Sequence, residues 1–463
     1  MKEINFFLLL IYLQVGQIIS QDDNNFLEPS DLVIVIISQS NPYHKAHAEL
    51  LQKNINDQAE SMEKNSPVII LTHELKIKGS WTYLPLFSHL SFNYPNKKWF
   101  LFCLENTVIN LIELIRVLSE HKSKNMWLSY GLTDHDLTII HHFAKLKAPF
   151  KYPNEASGFA MTKQLLYSIA TNQRNRQMDF SIDSSHELAH YIDDEIKGPS
   201  LTHSAKFCIV SNRKCATFPR QFYPCDKPIL SEKIYVAVKT CKQFRNDRIP
   251  VILNTWSKYA RNIAFYTDEA DNSLPNSHIV PKTNVGHCAK TYGILQHAYK
   301  VMRKKNIDWL LITDDDTIVS LARIQKLLTC YNPKNLIALG QRYGFRLNDD
   351  DGYDYLTSGA GLILSKPVVK LIINSTDCQC PHRETADDMF LFGQCLQNLN
   401  LNIIHSSAFH QARAVDYAAG YLSSHEPVSF HSFWNINPKE TYKQWFAEDD
   451  ENFFHSSLTH TEL

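Results

Sequence analysis

Short apolar runs alternate with helix-like segments along the second half of the chain. Residues 234–238 and 263–266 are rich in Ile, Val, Phe and Tyr, which predicts strands. Residues 248–259 and 289–302 show the spacing of apolar positions that is typical of helices. Strands alternating with helices predict an α/β fold with a largely parallel sheet. Ligands of such sheets bind beyond the carboxyl ends of the strands, where we therefore look for the functional site.

The chain also repeats itself at a separation of 210 residues. Residues 97–107 and 307–317 each contain a tryptophan, an apolar strand and a polar turn, and an amphipathic helix follows each of them. A second similarity links residues 152–162 with residues 355–365. These repeats predict two copies of one domain type. The predicted boundaries are residues 21–197 for the first copy, 198–230 for a connector rich in Cys and Pro, 231–446 for the second copy and 447–463 for a tail.

Both ends of the chain carry targeting patterns. Lys2 precedes an apolar run over residues 6–15, and the small residues Gly16 and Ser20 follow, which predicts a secretory signal peptide over residues 1–20. The run is too short to span a bilayer, so we expect no stable membrane span in the mature chain. Residues 460–463 read His-Thr-Glu-Leu, a variant of the retrieval signal of the endoplasmic reticulum. The sequence therefore predicts residence in the lumen of the endoplasmic reticulum.

The cysteine content and the charge agree with a luminal globular protein. Ten cysteines without a pair of CxxC knuckles favour disulfides over zinc sites in an oxidising compartment, although the sequence leaves their pairing open. The 47 basic and 48 acidic residues give a formal net charge of −1. No overall field therefore favours nucleic acid or an anionic membrane, and an anionic ligand must be held by a local site.

Three consecutive aspartates, Asp314, Asp315 and Asp316, follow the predicted strand at residues 309–312. They can bind a divalent cation through their oxygens, or they can cap the helix that is predicted from residue 318 to residue 328. The corresponding residues of the first copy are Leu104, Glu105 and Asn106. Because the first copy folds without the aspartates, we interpret the triplet as serving chemistry and not helix capping. We also expect that the first copy has lost its metal.

Two further segments carry candidate chemistry. Asp387 and Asp388 precede an apolar helix, where a carboxylate can act as a general base or can cap the helix. His431 follows a short strand-like run, and a neutral imidazole is a frequent ligand of cations such as Mn²⁺.

The segment from His186 to His190 matches the H-E-x-x-H pattern of zinc proteases. No glycine and third histidine follow at metzincin spacing, and the segment occupies the place in the first copy that Asp387 and Asp388 hold in the second. We therefore interpret the match as accidental and the adjacent pair His141 and His142 as structural.

Taken in order, the motifs of the second copy resemble those of the fringe-type β-1,3-glycosyltransferases. The resemblance covers nearly all of this copy. The motifs that carry it are Ala-Val-Lys-Thr-Cys at 237–241, Arg-Ile-Pro at 248–250, Thr-Trp at 255–256, Phe-Tyr-Thr-Asp at 265–268, the aspartate triplet, Ser-Gly-Ala-Gly at 358–361 and Asp387-Asp388.

The resemblance implies tandem GT-A-like domains, the first degenerate and the second catalytic, and an inverting glucosyltransferase reaction. It implies UDP-glucose as donor, Mn²⁺ as cofactor, and O-linked fucose on thrombospondin type 1 repeats as acceptor. Alternatives are another UDP-sugar donor, or a non-catalytic module of the endoplasmic reticulum that binds sugar or protein. The implied roles are uridine binding for Thr240, Arg248 and Asp268, donor binding for Asp314 and Asp315, metal binding for Asp316 and His431, and base for Asp388 or, as the weaker choice, Asp387.

One detail departs from the family pattern. The family helix has a glycine at the position of Phe392, whereas Gly393 stands one residue later here. One residue rotates an α-helix by about 100°, so the sequence leaves open whether Asp387 or Asp388 faces the donor.

Overall fold

The structure is a computed structural model that describes residues 27–121, 123–143, 150–172 and 179–459. The predicted signal peptide and the His-Thr-Glu-Leu sequence at residues 460–463 lie outside the described residues.

A six-stranded sheet forms the first half. Its interior strand Leu32–Ile37 has the sequence LVIVII and is buried at every position, as expected for a strand covered on both faces. It runs parallel to Val68–Leu71 on one side and to Trp99–Leu104 on the other. The spatial order of the sheet is Thr202–His203, Trp127–Ser129, Phe159–Thr162, Trp99–Leu104, Leu32–Ile37 and Val68–Leu71.

A seven-stranded sheet forms the second half, and six of its strands follow the order and directions of the first sheet. Its central strand Ile234–Lys239 is parallel to Ile263–Thr267 and to Trp309–Asp314, and Leu362–Ser365 runs antiparallel to Trp309–Asp314. The spatial order is Ser277–Ile279, Ile263–Thr267, Ile234–Lys239, Trp309–Asp314, Leu362–Ser365, Ala338–Gly340 and Ile404–His405. The chain is therefore a mixed α/β protein, as the sequence predicts.

Helices pack on both sheets and bury their apolar faces in the cores. In the first half they are Pro42–Ser61, Leu84–Asn93, Leu111–Ser119, Lys163–Asn172 and Ser184–His190. In the second half they are Arg245–Asn254, Cys288–Lys305, Leu321–Leu327, Lys366–Asn374, Asp387–Met389, Cys395–Asn398, Ala419–Leu422, Pro438–Tyr442 and Glu448–Thr459.

The helix predicted from residue 318 begins later than expected. Residues Thr317–Val319 instead form a short strand that pairs with Ser429–His431, and the helix Leu321–Leu327 starts after its cap Ser320. Three consecutive β-branched residues favour the extended conformation once a partner strand is available. The pairing places Thr317 opposite His431, which brings the histidine to the end of the aspartate triplet.

The connector, and the tail as far as residue 459, contribute to the fold of the two halves. Within the connector, Thr202–His203 joins the edge of the first sheet and Thr217–Pro219 pairs with Thr107–Ile109. The predicted end of the second copy at residue 446 is too early, because the helix Glu448–Thr459 continues the same packed unit. Its fully buried Asp450 accepts hydrogen bonds from Ser320 Oγ at 2.7 Å and from the Ala322 amide at 2.9 Å.

Eight of the ten cysteines form disulfides. The pairs are Cys208–Cys215, Cys225–Cys330, Cys288–Cys380 and Cys378–Cys395. Cys103 and Cys241 are free, so the expectation of disulfides holds for all but these two.

The two halves also meet directly. The strand Phe180–Ser181 of the first half pairs with Arg342–Phe345 of the second, and Gln39 exchanges hydrogen bonds with the backbone of His405. Among the described helices, none has both the length and the apolar character that a membrane crossing requires.

Candidate active site

The candidate site lies where two adjacent parallel strands of the second sheet end. Register places Lys239, the last residue of Ile234–Lys239, beside Asp314, the last residue of Trp309–Asp314. The Lys239 ammonium is 3.1 Å from Asp314 Oδ1. Because the strands end together, the residues that follow them, Thr240 and the rest of the aspartate triplet, share this edge of the sheet, as α/β folds with ligand sites usually arrange them.

Asp315 points into the protein and holds two predicted donor-site residues. Its carboxylate accepts a hydrogen bond from Thr240 Oγ1 at 2.6 Å and one from the Arg248 guanidinium at 2.7 Å. Burial raises the pKa of Asp315, because desolvation disfavours the charged form. The Arg248 guanidinium also stacks over the Phe244 ring at 4.1 Å, so both groups fix its orientation.

Asp316 and His431 face one another across the short strand pair. His431 Nε2 lies 3.2 Å from Asp316 Oδ1, and the Arg248 guanidinium lies 3.1 Å from Asp316 Oδ2. Burial would raise the pKa of Asp316, but the hydrogen bond with His431 holds it below its ordinary value. His431 Nδ1 lies 3.0 Å from the backbone carbonyl of Gln411. This contact makes Nδ1 the donor to the carbonyl and turns Nε2 towards the carboxylates.

Three side chains of this edge can hold one cation together. The ligand atoms of Asp314, Asp316 and His431 all lie within 4.8 Å of one another. Carboxylate oxygens suit hard divalent cations and imidazole suits transition metals, so this donor set fits Mn²⁺. Gly359 leaves room beside the imidazole, since a Cβ there would lie 2.9 Å from His431 Cε1.

Asp387 is buried and is held in an ionic network through its Oδ2 oxygen. It is 4 % exposed, its Oδ2 lies 2.9 Å from the Lys239 ammonium, and Thr291 Oγ1 donates to it at 2.5 Å. Burial would raise the pKa of Asp387, but the Lys239 charge lowers it below the ordinary value. Lys239 therefore bridges Asp387 and Asp314 and ties the helix Asp387–Met389 to the edge of the sheet where Asp314 lies.

Asp388 has the opposite electrostatic setting. Burial, reinforced by the neighbouring charge of Asp387, raises its pKa to about 6. The Met389 amide donates to its Oδ1 at 2.8 Å. The Asp388 charge also contributes to the raised pKa values of Tyr353 and Tyr355, which follow mainly from burial. A carboxylate with a pKa near neutrality beside a cation site is suited to general-base chemistry.

A π-helical turn explains the displaced glycine. Residues Phe390–Gln394 form this turn directly after Asp387–Met389, and a π-turn takes up one residue more than an α-turn. Gly393 then packs against Tyr353 and Tyr355, where a Cβ would lie 2.8 Å from atoms of both side chains.

Gly393→Ala is therefore expected to displace Tyr353 and Tyr355 beside Asp388. Overpacking of this kind costs about 1–3 kcal/mol of unfolding free energy, which urea denaturation followed by tryptophan fluorescence measures. Gly420→Ala, where a Cβ would lie 3.0 Å from two side chains far from this site, is the matched control. Equal stability and turnover for Gly393→Ala and the unsubstituted protein would contradict the close packing.

Asp268 lies at the end of the neighbouring strand Ile263–Thr267, on the same edge of the sheet. The Lys242 amide donates to its Oδ1 at 2.8 Å. Burial would raise the pKa of Asp268, but backbone hydrogen bonds lower it below the ordinary value and so favour the ionised carboxylate. One of these bonds comes from Lys242, two residues after Thr240 in the chain. The structure thus brings Asp314, Asp315, Asp316, Arg248, Thr240 and His431 into contact, whereas Asp268 contacts the backbone that follows Thr240.

Sequence reasoning did not single out three residues that organise the site. Lys239 pairs with both Asp314 and Asp387, and the Lys290 ammonium donates to the Thr240 carbonyl at 3.0 Å. The Gln411 side chain accepts from the Ala360 amide at 2.8 Å, while its backbone holds His431. A signal existed for Lys239, because a lysine that ends a fully buried strand needs an anionic partner.

The H-E-x-x-H segment has structural partners. His190 pairs with Asp194 at 2.9 Å, and Glu187 accepts from the Ile182 amide at 2.6 Å. Asp134, His141 and His186 do lie within ligand distance of one another, but the two imidazoles stack in parallel with centroids 3.7 Å apart. One ion cannot lie in the planes of two stacked rings, so this arrangement agrees with the structural interpretation of both histidine motifs.

Comparison with known proteins identifies the class. The fringe-like family model matches residues 229–460, which includes every residue of the candidate site. The chain is 41% identical over 438 residues to a β-1,3-glucosyltransferase of Homo sapiens, covering 92% of this chain and 87% of the relative. It is 40% identical over 436 residues to a β-1,3-glucosyltransferase of Mus musculus, with 92% and 88% coverage.

The chain therefore belongs to the fringe-like glycosyltransferases and is a transferase of the same type as these two relatives. Among solved structures, a glycosyltransferase involved in the glycosylation of the major capsid of PBCV-1 is similar at 12% identity and a TM-score of 0.27. That similarity covers 46% of this chain and 98% of the other.

Proposed function

We propose that the protein transfers glucose from UDP-glucose to the 3-hydroxyl of O-linked fucose on thrombospondin type 1 repeats, with inversion at the anomeric carbon. The observation that carries this proposal is the convergence of Asp314, Asp316 and His431 within 4.8 Å. The similarity to two β-1,3-glucosyltransferases over nearly the whole chain supports glucose as the transferred sugar.

Asp316 and His431 would hold Mn²⁺, with Asp314 beside them. The ion would supply positive charge against the diphosphate of the leaving UDP. The chain itself orients the imidazole through Gln411 and keeps Asp316 ionised through His431 and Arg248.

Thr240, Arg248, Asp268, Asp314 and Asp315 form the donor side of the proposed site. Asp314 would approach the ribose, and Thr240, Arg248 and Asp268 would line the uridine pocket. Both oxygens of Asp315 are already engaged by Thr240 and Arg248, so its proposed contribution is to place those two groups.

Asp388 would act as the general base. Its carboxylate, with a pKa of about 6, accepts the proton of the acceptor hydroxyl as that oxygen attacks C1 of glucose. Asp387 is the weaker candidate in the proposal because Lys239 and Thr291 both bind its Oδ2 and the Lys239 charge lowers its pKa. A single in-line displacement inverts the anomeric centre.

The matching order and directions of the two sheets support tandem GT-A-like halves, of which only the second is catalytic. Leu104 and Asn106 stand where the second half has Asp314 and Asp316, so the first half lacks the cation ligands. The sequence patterns at the two ends support a location in the lumen of the endoplasmic reticulum, and four disulfides agree with an oxidising compartment.

Purified protein incubated with UDP-glucose, Mn²⁺ and a fucosylated thrombospondin repeat is expected to release UDP. Asp316→Asn is expected to lower the rate at least about 100-fold, since it removes a charged cation ligand. Asp308→Asn is the matched control. Asp308 lies just before the strand Trp309–Asp314, at the end opposite to the aspartate triplet, and pairs with Lys233 near the surface.

Each outcome of this assay has a defined meaning. Release with UDP-galactose or UDP-N-acetylglucosamine but not UDP-glucose would correct the donor. No release with any UDP-sugar would favour a non-catalytic binding module, and full activity of Asp316→Asn would overturn the cation assignment.

A further inference from the structure

A cavity of about 640 Å³ lies between the two halves, separate from the proposed active site. Asp314, Asp316, Asp388 and His431 are absent from its walls. The walls come from the first half, from the connector, and from second-half segments around Arg323, Arg342, His405 and Tyr421. Its volume is within the range of sites that bind small molecules.

The first-half wall of the cavity occupies the place that the catalytic edge has in the second half. Leu104, Glu105 and Asn106 line it, and they follow the strand Trp99–Leu104 as the triplet follows its own strand. Pro219 pairs with Thr107 where His431 pairs with Thr317.

The residues at the base position have changed in the same way. Ser184 and Ser185 begin the helix Ser184–His190 and line the cavity, where the second half has Asp387 and Asp388 at the start of a helix followed by a π-turn. The helix Ser184–His190 is likewise followed directly by a π-turn, Tyr191–Glu195. This half therefore keeps a cleft in which the positions of Asp314, Asp316, Asp387 and Asp388 carry no aspartate, which is an arrangement for binding without the transfer reaction of the second half.

Arg342 is an unpaired cation in this cavity. Its guanidinium stacks over the Trp81 ring at 4.4 Å, its Nε is buried without a hydrogen-bond partner, and it forms no ion pair with a described residue. Such a group is costly to bury unless a ligand completes its hydrogen bonds.

Carboxylates face the same space. Glu105 is held by His44 at 2.6 Å, and Glu155 accepts from Ser184 Oγ at 2.5 Å. Asp183 is held by His141 at 2.9 Å. Burial, followed by the charge of Asp183, raises the pKa of Glu155 to about 7. The wall also contains the cationic side chains Arg220, Arg323 and Lys326 and a further carboxylate, Glu426. Because charges of both signs face the cavity, its lining favours a neutral ligand whose groups both donate and accept.

Aromatic side chains form much of the remaining wall. Trp81, Tyr83, Tyr331, Tyr417 and Tyr421 line the cavity. Their flat apolar faces and polar edges suit a ring that has apolar C–H faces and hydroxyl groups around its rim.

We propose that this cleft binds neutral sugar rings without catalysing a reaction on them, as a second glycan site between the two halves. Hydroxyl groups both donate and accept, so a sugar can satisfy Arg342 and the carboxylates together. That the sugar belongs to the glycosylated acceptor rests on the proposed function, whereas the binding itself does not.

Binding is tested on the full chain with the free disaccharide glucosyl-β-1,3-fucose as probe, by saturation-transfer NMR and calorimetry without UDP or Mn²⁺. Arg342→Gln is expected to raise the Kd about tenfold or more, since a hydrogen bond to a charged group is lost. Glu155→Gln keeps the shape of the side chain but removes its charge and one acceptor, and is expected to raise the Kd about threefold or more.

Two residues that do not line the cavity provide matched controls. Arg346→Gln lies in the same segment of chain as Arg342, and Glu113→Gln removes a surface partner of Arg116, so both should leave the Kd within about twofold. If Arg342→Gln does not fold, Glu155→Gln decides the question.

Three results would overturn the glycan site. They are no saturable binding of the disaccharide, an unchanged Kd in the folded variants, or displacement of the disaccharide by an unglycosylated repeat, which would indicate a peptide site. Disaccharide binding without UDP release in the earlier assay would contradict the proposed function and leave the glycan site standing. UDP release without disaccharide binding would support the proposed function and overturn the glycan site.

Discussion

Asp388→Asn is expected to lower the turnover number by about 10²–10⁴-fold, because the amide cannot accept the proton of the attacking hydroxyl. The rate is measured as UDP release at saturating donor and acceptor, and the affinity for UDP should remain unchanged. Asp377→Asn, at an exposed position, is the matched control. Turnover close to that of the unsubstituted protein would remove Asp388 from the mechanism.

The pH profile provides an independent readout of the same residue. A base must be ionised to act, so with a pKa of about 6 the rate of the unsubstituted protein should rise with pH through about 6 and then level off. The residual rate of Asp388→Asn should lack this rise.

The same substitution is expected to stabilise the fold. The folded-state pKa of about 6 lies above the ordinary value of 3.8, so stability decreases as pH rises from the lower to the higher value and stays reduced above it. Asp388→Asn removes this cost, which corresponds to about 1–3 kcal/mol at pH 7.5. Urea denaturation at pH 7.5 and at pH 4 checks the sign, because the gain should be smaller at pH 4.

Lys239→Met is expected to destabilise the protein by about 3–5 kcal/mol, because removal of one partner leaves buried carboxylates uncompensated. Lys239 is 7 % exposed and is the shared partner of Asp314 and Asp387. Thermal and urea denaturation measure the change.

The matched control is Lys242→Met, three residues after Lys239 in the chain. This substitution breaks the exposed ion pair between Lys242 and Glu269. Exposed pairs contribute about 1 kcal/mol or less. A change for Lys239→Met as small as that for Lys242→Met would show that the bridge contributes little to folding.

Local patterns predicted the α/β fold well where strands are continuous apolar runs. The strand predicted at residues 234–238 is observed as Ile234–Lys239, and the helix predicted at residues 289–302 as Cys288–Lys305. The helix predicted at residues 248–259 is shorter, Arg245–Asn254, and a 3-10 turn Trp256–Tyr259 follows it. The helix predicted from residue 318 was wrong at its start, because residues Thr317–Val319 form a strand instead. This error has a different origin, since the partner strand Ser429–His431 is more than a hundred residues away along the chain.

Candidate residues were predicted better than their connections. The aspartates and His431 could be chosen because polar groups after buried strands and at helix starts stand out against an apolar pattern, whereas Arg248 was implied only by the family resemblance. The difference between Asp387 and Asp388 could not be read in the same way. It depends on Lys239 and Thr291, which approach Asp387 from other elements, and on burial of Asp388 without a cation.

By itself, the sequence determined the repeated α/β pattern, the residues available for chemistry and the family, because these follow from side-chain type and spacing along the chain. The tertiary structure alone decided which of Asp387 and Asp388 pairs with Lys239, which imidazole nitrogen faces the aspartates and how Arg342 meets the first-half cleft. Charge and hydrogen-bond energies depend on distances and burial between residues that are remote in sequence, and those exist only once the chain has folded.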